Sequence, residues 1–418
     1  MTSRERVLLS LNHQEPDRVP IDFNSHRSSG ISVTAYKRLR EYLGLKPSPL
    51  FIYDVLQQLA IVEEDILDLF GVDVVQLGCE YHKDPAYWSD WEMHDGTLCK
   101  IPSFIKIDVL DNGDYSINGE DGEQLCIQKR NCLYFEQTAF PLAGSEDRSF
   151  IDLKQQLQRV MWVKVGTPPE PNGFDSNGIK KRKAEAQALR KLTDRAIYAT
   201  FGGNLMELGE QCFRMDNFLL ELAADPERIE VFLDKLLEIH MQNLEAFIKE
   251  IGPHIDIIGF GDDLGMQTSA QISEEMFCRF FKPRYARMWQ YVKQQAPHLK
   301  INLHCCGSIY NLIPHLAEVG LDAINPVQIT CENMEPWRLK RDYGDIITFW
   351  GGGCDTRYAL PKGSQEEIEK NVRENVAALK GNGGFVFQQV HNILADVPPE
   401  NIVTMFNSIA RYGNYGKY

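Results

Sequence analysis

Short apolar runs that alternate with longer segments of helical periodicity constrain the fold of this 418-residue chain more than any other feature. The runs are centred near residues 20, 74, 198, 257, 302, 323, 348 and 387. Apolar strands separated by helices indicate a parallel sheet that is buried on both faces. Eight strand–helix units favour a closed (β/α)8 TIM barrel over an open sheet. The predicted fold class is therefore α/β, with a single barrel domain over residues 1–418.

Residues 91–140, near the N-terminal third, have a different character. Four Asn-Gly or Asp-Gly dipeptides separate short β-like runs there, and such dipeptides suit tight hairpin turns. We predict a β-rich insertion beside the barrel. We also predict a helix over residues 54–69 and a surface loop or lid over residues 166–178, which hold three prolines and three glycines.

The charge of the chain excludes some classes of partner. Fifty-nine acidic against 44 basic residues give a formal net charge of -15, which repels nucleic-acid phosphates and anionic membrane surfaces. No apolar segment reaches the roughly 18 residues of a membrane span, and the run after the N-terminus is too short for a signal peptide. We therefore expect a cytoplasmic protein that binds neither nucleic acid nor membrane. Its ten cysteines are scattered, so most are expected to be core thiols.

Polar residues follow the predicted strands at the end where a barrel carries its active site. In barrel enzymes that site lies at the C-terminal ends of the strands. Loops are polar in any protein, but here the polar residues fall at one strand end after another. They are Asn204, Glu207, Asp262, Asp263, His304, Cys306, Asn325, Cys354, Asp355, His391 and Asn392.

His304 and Cys306 are the residues of this set with the most specific chemistry. Alternate side chains of a strand point to the same face, so the two lie side by side and Cys305 faces away. A catalytic zinc site needs three nitrogen, sulfur or oxygen ligands from the protein and one open position. The pair supplies two of the three. A buried histidine beside an inert cysteine gives the same pattern, so these residues alone leave metal binding open.

Several segments spread over nearly the whole chain match one set of known motifs. They are residues 2–7, 16–20, 262–267, 304–307, 383–386 and 398–402. With them the chain resembles the uroporphyrinogen decarboxylase superfamily, and within it the corrinoid- and coenzyme M-type methyltransferases. The resemblance implies a single uroporphyrinogen decarboxylase-like barrel and a homodimer.

The N-terminal region departs from the true decarboxylases. Those enzymes carry an Arg-Gln-Ala-Gly-Arg motif that helps to bind the propionates of a tetrapyrrole, and residues 21–30 of this chain lack it. The net acidic charge also opposes a substrate with eight carboxylates. The resemblance is therefore to the methyltransferase branch, and not to a true uroporphyrinogen decarboxylase.

The methyltransferase branch implies a third zinc ligand, a cysteine shortly before the motif at 398–402. This chain has His391 in that segment, and histidine is a competent zinc ligand. Cys354, at the end of the preceding strand, is the rival third ligand. The residues around His391 match those of the family, which favours His391 as the third ligand. Cys354 remains the alternative.

The resemblance implies a zinc-dependent methyltransferase of one-carbon metabolism, which moves a methyl group between a small substrate and a corrinoid- or folate-type carrier. The sequence has no Asp-x-His-x-x-Gly corrinoid-binding motif, so a corrinoid would arrive on a separate protein or as free cofactor. Asp262 and Asp263 are candidate catalytic residues, as partners of a ligand histidine or as acid and base, with a helix cap as the alternative. Candidate substrate-binding residues are Gln267, Asn325 and Asn392, and Glu207 is a candidate fourth ligand.

Two other functions stay open at this point. One is a metal-free decarboxylase or lyase that uses Asp262 or Asp263 as acid and base. The other is a barrel without activity that serves as a binding protein, because this fold hosts many functions.

Overall fold

A curled parallel sheet of seven strands forms the centre of the structure, a computed structural model that describes residues 1–78, 84–166 and 174–416. All neighbouring strands are parallel and follow one another in sequence order across the sheet. The architecture is α/β and TIM-like. The strands are β1 (Val74–Gln76), β2 (Ala196–Gly202), β3 (Ile257–Gly261), β4 (Lys300–His304), β5 (Ala323–Asn325), β6 (Thr348–Trp350) and β7 (Phe385–Val386).

The segment around residue 21 joins the two edges of this sheet. The backbone N–H of Phe387, directly after β7, donates to Pro20 O, and Asp22 N–H donates to Phe387 O, both at 2.8 Å. On the other side, Asp73 N–H, directly before β1, donates to Ile21 O at 2.8 Å. The predicted strand near residue 20 is thus a single parallel bridge between Ile21 and Phe387. It lies where an eighth strand of a barrel would lie.

Helices cover the sheet, and the longer ones agree with the helical periodicity of the sequence. Shorter helical segments include Glu64–Leu69, Glu274–Met276, Ile313–Glu318 and a π-helical turn, Phe277–Phe281. Helices of eight or more residues in the described ranges are Ser3–Leu11, Val33–Tyr42, Ser176–Leu192, Met206–Phe213, Met215–Ala224, Pro226–Glu250, Lys282–Gln295, Pro336–Tyr343, Gln365–Leu379 and Pro399–Tyr412.

The first helix closes the N-terminal end of the sheet. Thr2 and Glu5 form a capping box that fixes its start. Its apolar residues Val7 and Leu11 are buried in one cluster with side chains of the strands, among them Tyr198 and Trp350. A cavity lies at the opposite end of the sheet, where the strands have their C-terminal ends.

Antiparallel strands occupy most of the region that the Asn-Gly and Asp-Gly dipeptides marked. Trp88–Glu92 pairs with Leu98–Pro102, and a separate four-stranded sheet contains the central strands Tyr115–Asn118 and Gln124–Gln128. Its outer strands are Asp108–Val109 and Glu136–Gln137.

Two predicted segments differ from the structure. The helix predicted over 54–69 is only Glu64–Leu69, because Ile52–Asp54 and Leu59–Ala60 form a hairpin in which Gln58 has a φ of 59°. The predicted loop over 166–178 lies mainly in residues 167–173, outside the described residues, and a helix has begun by Ser176. Within the described ranges no helix is long and apolar enough to cross a lipid bilayer.

Candidate active site

A cavity of about 600 Å³ opens at the C-terminal ends of β2, β3 and β4. This volume is within the range of small-molecule sites. Six aromatic side chains and several polar ones form its walls, so that it offers an apolar body with few polar contacts. The aromatic residues are Trp162, Phe174, Tyr198, Phe201, Phe247 and Phe260, and the polar ones include His26, Asn204, Glu207, Asp263, His304 and His391.

His304, Cys306 and His391 lie together at this cavity. Their ligand atoms are all within 4.8 Å of one another, and each residue is partly exposed. The Cys306 Sγ atom is 3.6 Å from His304 Nε2. His304 is the last residue of β4, and His391 follows β7, so two strand ends bring the three side chains to one point. The structure thus brings together the three residues that the sequence favoured as ligands.

The side chain of Asn325 determines which nitrogen of His304 is free. The amide nitrogen of Asn325 donates to Trp350 O and to Gln388 Oε1, both at 2.8 Å. A backbone carbonyl only accepts, so the remaining amide atom, Oδ1, must be the oxygen that faces His304 Nδ1 at 3.0 Å. Nδ1 therefore carries the hydrogen. In the neutral imidazole Nε2 is left unprotonated, on the side of Cys306.

The protonation states of the other two residues suit a divalent metal. Burial and the proximity of His304 and His26 lower the pKa of His391 to about 3, so its imidazole is neutral at pH 7. Burial and the charge of Asp263 raise the pKa of Cys306 well above its usual range. The imidazoles of His304 and His391 and a thiol that needs a nearby cation to ionise form a donor set that zinc prefers. The residues present therefore fit this metal.

Cys354, the rival third ligand, is not a member of this group. It is completely buried, and burial raises the pKa of its thiol far above the usual range. Its backbone carbonyl accepts from Val390 N–H, which pairs it with the chain just before His391. The geometry thus favours His391.

Asp262 occupies the position of a helix cap. Its buried carboxylate accepts the backbone N–H groups of Leu205, Met206 and Glu207, each at 2.7 Å, and the hydroxyl of Tyr285. It does not line the cavity. Burial raises its pKa to about 6 although these hydrogen bonds favour the charged form. The geometry favours the cap, which was the alternative to an acid–base role.

Asp263 faces the cavity, unlike its neighbour. Its Oδ1 atom accepts the backbone N–H of Cys306 at 2.7 Å and lies 3.6 Å from His304 Nε2. One third of its side chain is exposed. Of the two aspartates, Asp263 is the one within reach of a bound substrate.

Glu207, the candidate fourth ligand, also lines the cavity but is not one of the three clustered residues. Burial and the charge of Asp263 raise the pKa of Glu207 well above its usual range. The amide of Asn204 donates to its carboxyl. Glu210, one turn further along the same helix, has its pKa raised to about 8 by burial. Its surroundings therefore favour the neutral form of Glu207.

The three predicted substrate-binding residues have different locations. Gln267 is exposed outside the cavity. Asn325 lies behind His304 and orients it. Asn392 is buried and donates to Gln57, which lines the cavity.

Sequence reasoning missed the residues that support Asn325. Ser28 donates its hydroxyl to Asn325 Oδ1, and Gln388 Nε2 donates to Ser28 O at 3.0 Å. His26 lies beside them: its Nδ1 atom is 3.1 Å from Ser28 Oγ and its Nε2 atom 3.3 Å from an oxygen of the buried Asp22. The polar run at residues 25–29, directly after an apolar stretch, was the available signal.

Comparison with known proteins gives results that agree with this architecture. The curated uroporphyrinogen decarboxylase of Vesicomyosocius okutanii subsp. Calyptogena okutanii (strain HA) is 26% identical over 190 residues. That alignment covers 45% of this chain and 50% of the relative, so the chain matches half the length of that protein. Among solved structures, a methyltransferase from Methanosarcina mazei aligns over 99% of both chains with a TM-score of 0.55 and 14% identity, a likeness of fold. The family model "Uroporphyrinogen decarboxylase (URO-D)" matches residues 203–412, which are half of the chain and contain all three clustered residues, and the protein therefore belongs to the URO-D family.

Proposed function

We propose that this protein is a zinc-dependent methyltransferase that moves a methyl group between a small substrate and a corrinoid- or folate-type carrier. The observation that carries the proposal is that His304, Cys306 and His391 lie together at the C-terminal end of the sheet. Zinc held there acts as a Lewis acid, which stabilises a thiolate or activates a methyl-bearing atom. The fold shared with a methyltransferase is in keeping with this assignment.

The surrounding residues have distinct tasks in this proposal. Asn325 holds His304 with Nε2 unprotonated. Asp263 accepts a proton from the substrate, since it lines the cavity and is partly exposed. Glu207, whose raised pKa favours the protonated form, donates one. The aromatic walls exclude water from the apolar part of the substrate.

A true uroporphyrinogen decarboxylase is disfavoured by the N-terminal segment. Arg27 is the cavity-lining arginine of that region, and its Nε atom donates to the buried carboxylate of Asp54. Its charge is thereby compensated, so it is poorly suited to bind a polycarboxylate. We place the chain in the methyltransferase branch for this reason.

We propose that residues 20–22 complete a (β/α)8 barrel, that residues 1–418 are one domain, and that residues 91–140 are an insertion into it. A corrinoid, if used, is supplied by a separate protein or as free cofactor. A homodimer is proposed from the family resemblance.

A metal-free decarboxylase or lyase is the second candidate. Two observations favour it: the curated relative is a uroporphyrinogen decarboxylase, and Asp263 and Glu207 place two carboxyl groups in one cavity, where burial and the charge of Asp263 raise the pKa of Glu207. This pairing is typical of acid–base chemistry.

Metal analysis separates the two candidates. Protein purified without added metal is expected to contain one zinc per chain, and His304→Ala and Cys306→Ala are expected to lose it. Cys305→Ala is the matched control, because Cys305 is buried on the other side of the strand, where its Sγ accepts Leu264 N–H at 3.3 Å. A metal-free wild type would exclude the zinc mechanism. Methyl transfer from a panel of methylated donors to free cob(I)alamin, followed by absorbance, then tests the reaction.

A further inference from the structure

A second cluster of reactive side chains, made of Glu274, Cys278, Lys282 and His315, lies apart from the cavity-lining residues. Glu274, Cys278 and Lys282 follow one another at intervals of four residues along a continuous helical stretch. The π-helical turn Phe277–Phe281 lies in the middle of it. His315, from the helix Ile313–Glu318, contacts all three side chains.

The contacts of His315 fix its tautomer. Lys282 Nζ lies 3.1 Å from His315 Nδ1, and an ammonium group can only donate. Nδ1 therefore accepts, and the hydrogen resides on Nε2, which donates to Glu274 Oε1 at 2.8 Å. The Cys278 Sγ atom is 3.8 Å from the same Nδ1. The single lone pair of Nδ1 thus faces both the ammonium of Lys282 and the thiol of Cys278, and the imidazole is oriented by a carboxylate on its other side.

This arrangement is that of an activated nucleophile. A thiol next to a base, with the base held by a third group, is the pattern that makes cysteines reactive. Lys282 contacts the same imidazole at 3.1 Å and pairs with Glu318 at 2.6 Å. The buried ring of Phe277, 6.3 Å from the imidazole, packs under His315. Cys278 itself is partly exposed, so reagents can reach it.

We propose that Cys278 is a modification site that exchanges with low-molecular-weight disulfides. Lys282 stays paired with Glu318 and releases Nδ1 of His315, His315 takes the thiol proton at Nδ1, and the thiolate attacks one sulfur of the disulfide RS–SR. A bond forms between Cys278 Sγ and that sulfur, the RS–SR bond breaks, and the leaving RS⁻ takes the proton from His315 as RSH. The disulfide is the only oxidant required.

Reaction with oxidised glutathione, followed by peptide mass spectrometry, tests this proposal. Cys132, also partly exposed, is the internal control. We expect the mixed disulfide to form at Cys278 at least about ten times faster than at Cys132 at pH 7, and His315→Gln to reduce the Cys278 rate about tenfold. Glu274→Gln should reduce it less, since it only orients the base.

Two results would overturn the proposal. Equal rates at Cys278 and Cys132 would show that the thiol is not activated. An unchanged rate in a His315→Gln variant with a wild-type melting temperature would show that the imidazole is not the base. Neither measurement depends on zinc or methyl transfer, so the outcome is independent of the proposed function.

Discussion

The Nδ1 atom of His304 lies 3.0 Å from Asn325 Oδ1, and this contact leaves Nε2 of the imidazole available to a metal. Asn325→Ala is therefore expected to lower zinc affinity by about 10–100-fold, the usual effect of losing a partner that orients a ligand. Competition with a chromophoric chelator measures it. Gln267→Ala, an exposed residue outside the cavity, is the control, and equal affinity in both variants would contradict the assignment.

Replacing the two rival third ligands gives opposite results if the geometry is correct. His391→Ala should weaken zinc binding by more than the roughly 100-fold that outer-shell changes produce, because a direct ligand is lost. Cys354→Ala should retain one zinc per chain, because Cys354 is not among the clustered residues. Metal content after dialysis is the measurement. Zinc loss in the Cys354 variant alone would show that Cys354, and not His391, is the third ligand.

Substitution of the two adjacent aspartates should have different effects, one on stability and the other on activity. Asp262→Asn disturbs a buried acceptor of three backbone N–H groups and a tyrosine hydroxyl, and should reduce the free energy of unfolding by about 1–3 kcal/mol. Asp263→Asn should change it by less than about 1 kcal/mol and reduce turnover instead. Urea denaturation of both variants measures the two losses in free energy of unfolding. A larger loss in Asp263→Asn than in Asp262→Asn would contradict the structural role assigned to Asp262.

Metal binding should release a proton at Cys306. The pKa of this thiol is raised by burial and by Asp263, so the metal-free site is protonated at pH 7 and must ionise to bind zinc. Calorimetry in buffers of different ionisation enthalpy should give close to one proton per zinc for the wild type. In Cys306→Ser the released proton should disappear together with tight binding; release of one proton there would assign ionisation to another group.

The buried His240 should make stability depend on pH. Burial lowers its pKa to about 4, while its ring nitrogen contacts Asn204 O at 2.9 Å; an unfolded histidine has a pKa of about 6.5. Between these values the unfolded chain binds the proton and the folded one does not, so this contribution is complete above about pH 6.5 and is lost as the pH falls towards 4.

His240→Gln is therefore expected to lose about 1–2 kcal/mol less stability than the wild type between pH 7 and pH 5. Urea titrations at both pH values measure the difference. Comparing the two proteins cancels the opposite contribution of Glu210, whose raised pKa favours the folded state at low pH. Parallel losses in both proteins would show that His240 is not the titrating group.

The sequence predicted the parts of the site that depend on strand periodicity. Strand alternation predicted that His304 and Cys306 lie side by side; their ligand atoms do come together, although β4 ends at His304, and His391 lies beside them. The sequence left the role of Asp262 open between acid–base chemistry and a helix cap, because its three N–H donors come from residues 205–207, distant in sequence. For Asn325 the sequence predicted a substrate contact, and only the three-dimensional contacts with Trp350 and Gln388 show that it serves His304 and not a substrate.

The hydrogen bond between Gln388 and Ser28 joins residues 360 positions apart. During synthesis, the groups that orient His304 therefore remain separated until the last strand has been translated. Closing so large a loop carries an entropic cost that earlier, local contacts do not. A nascent chain can thus form most of its helices while the proposed metal site is still incomplete, so that metal binding would report that the segment around Ser28 and the last strand of the sheet have met.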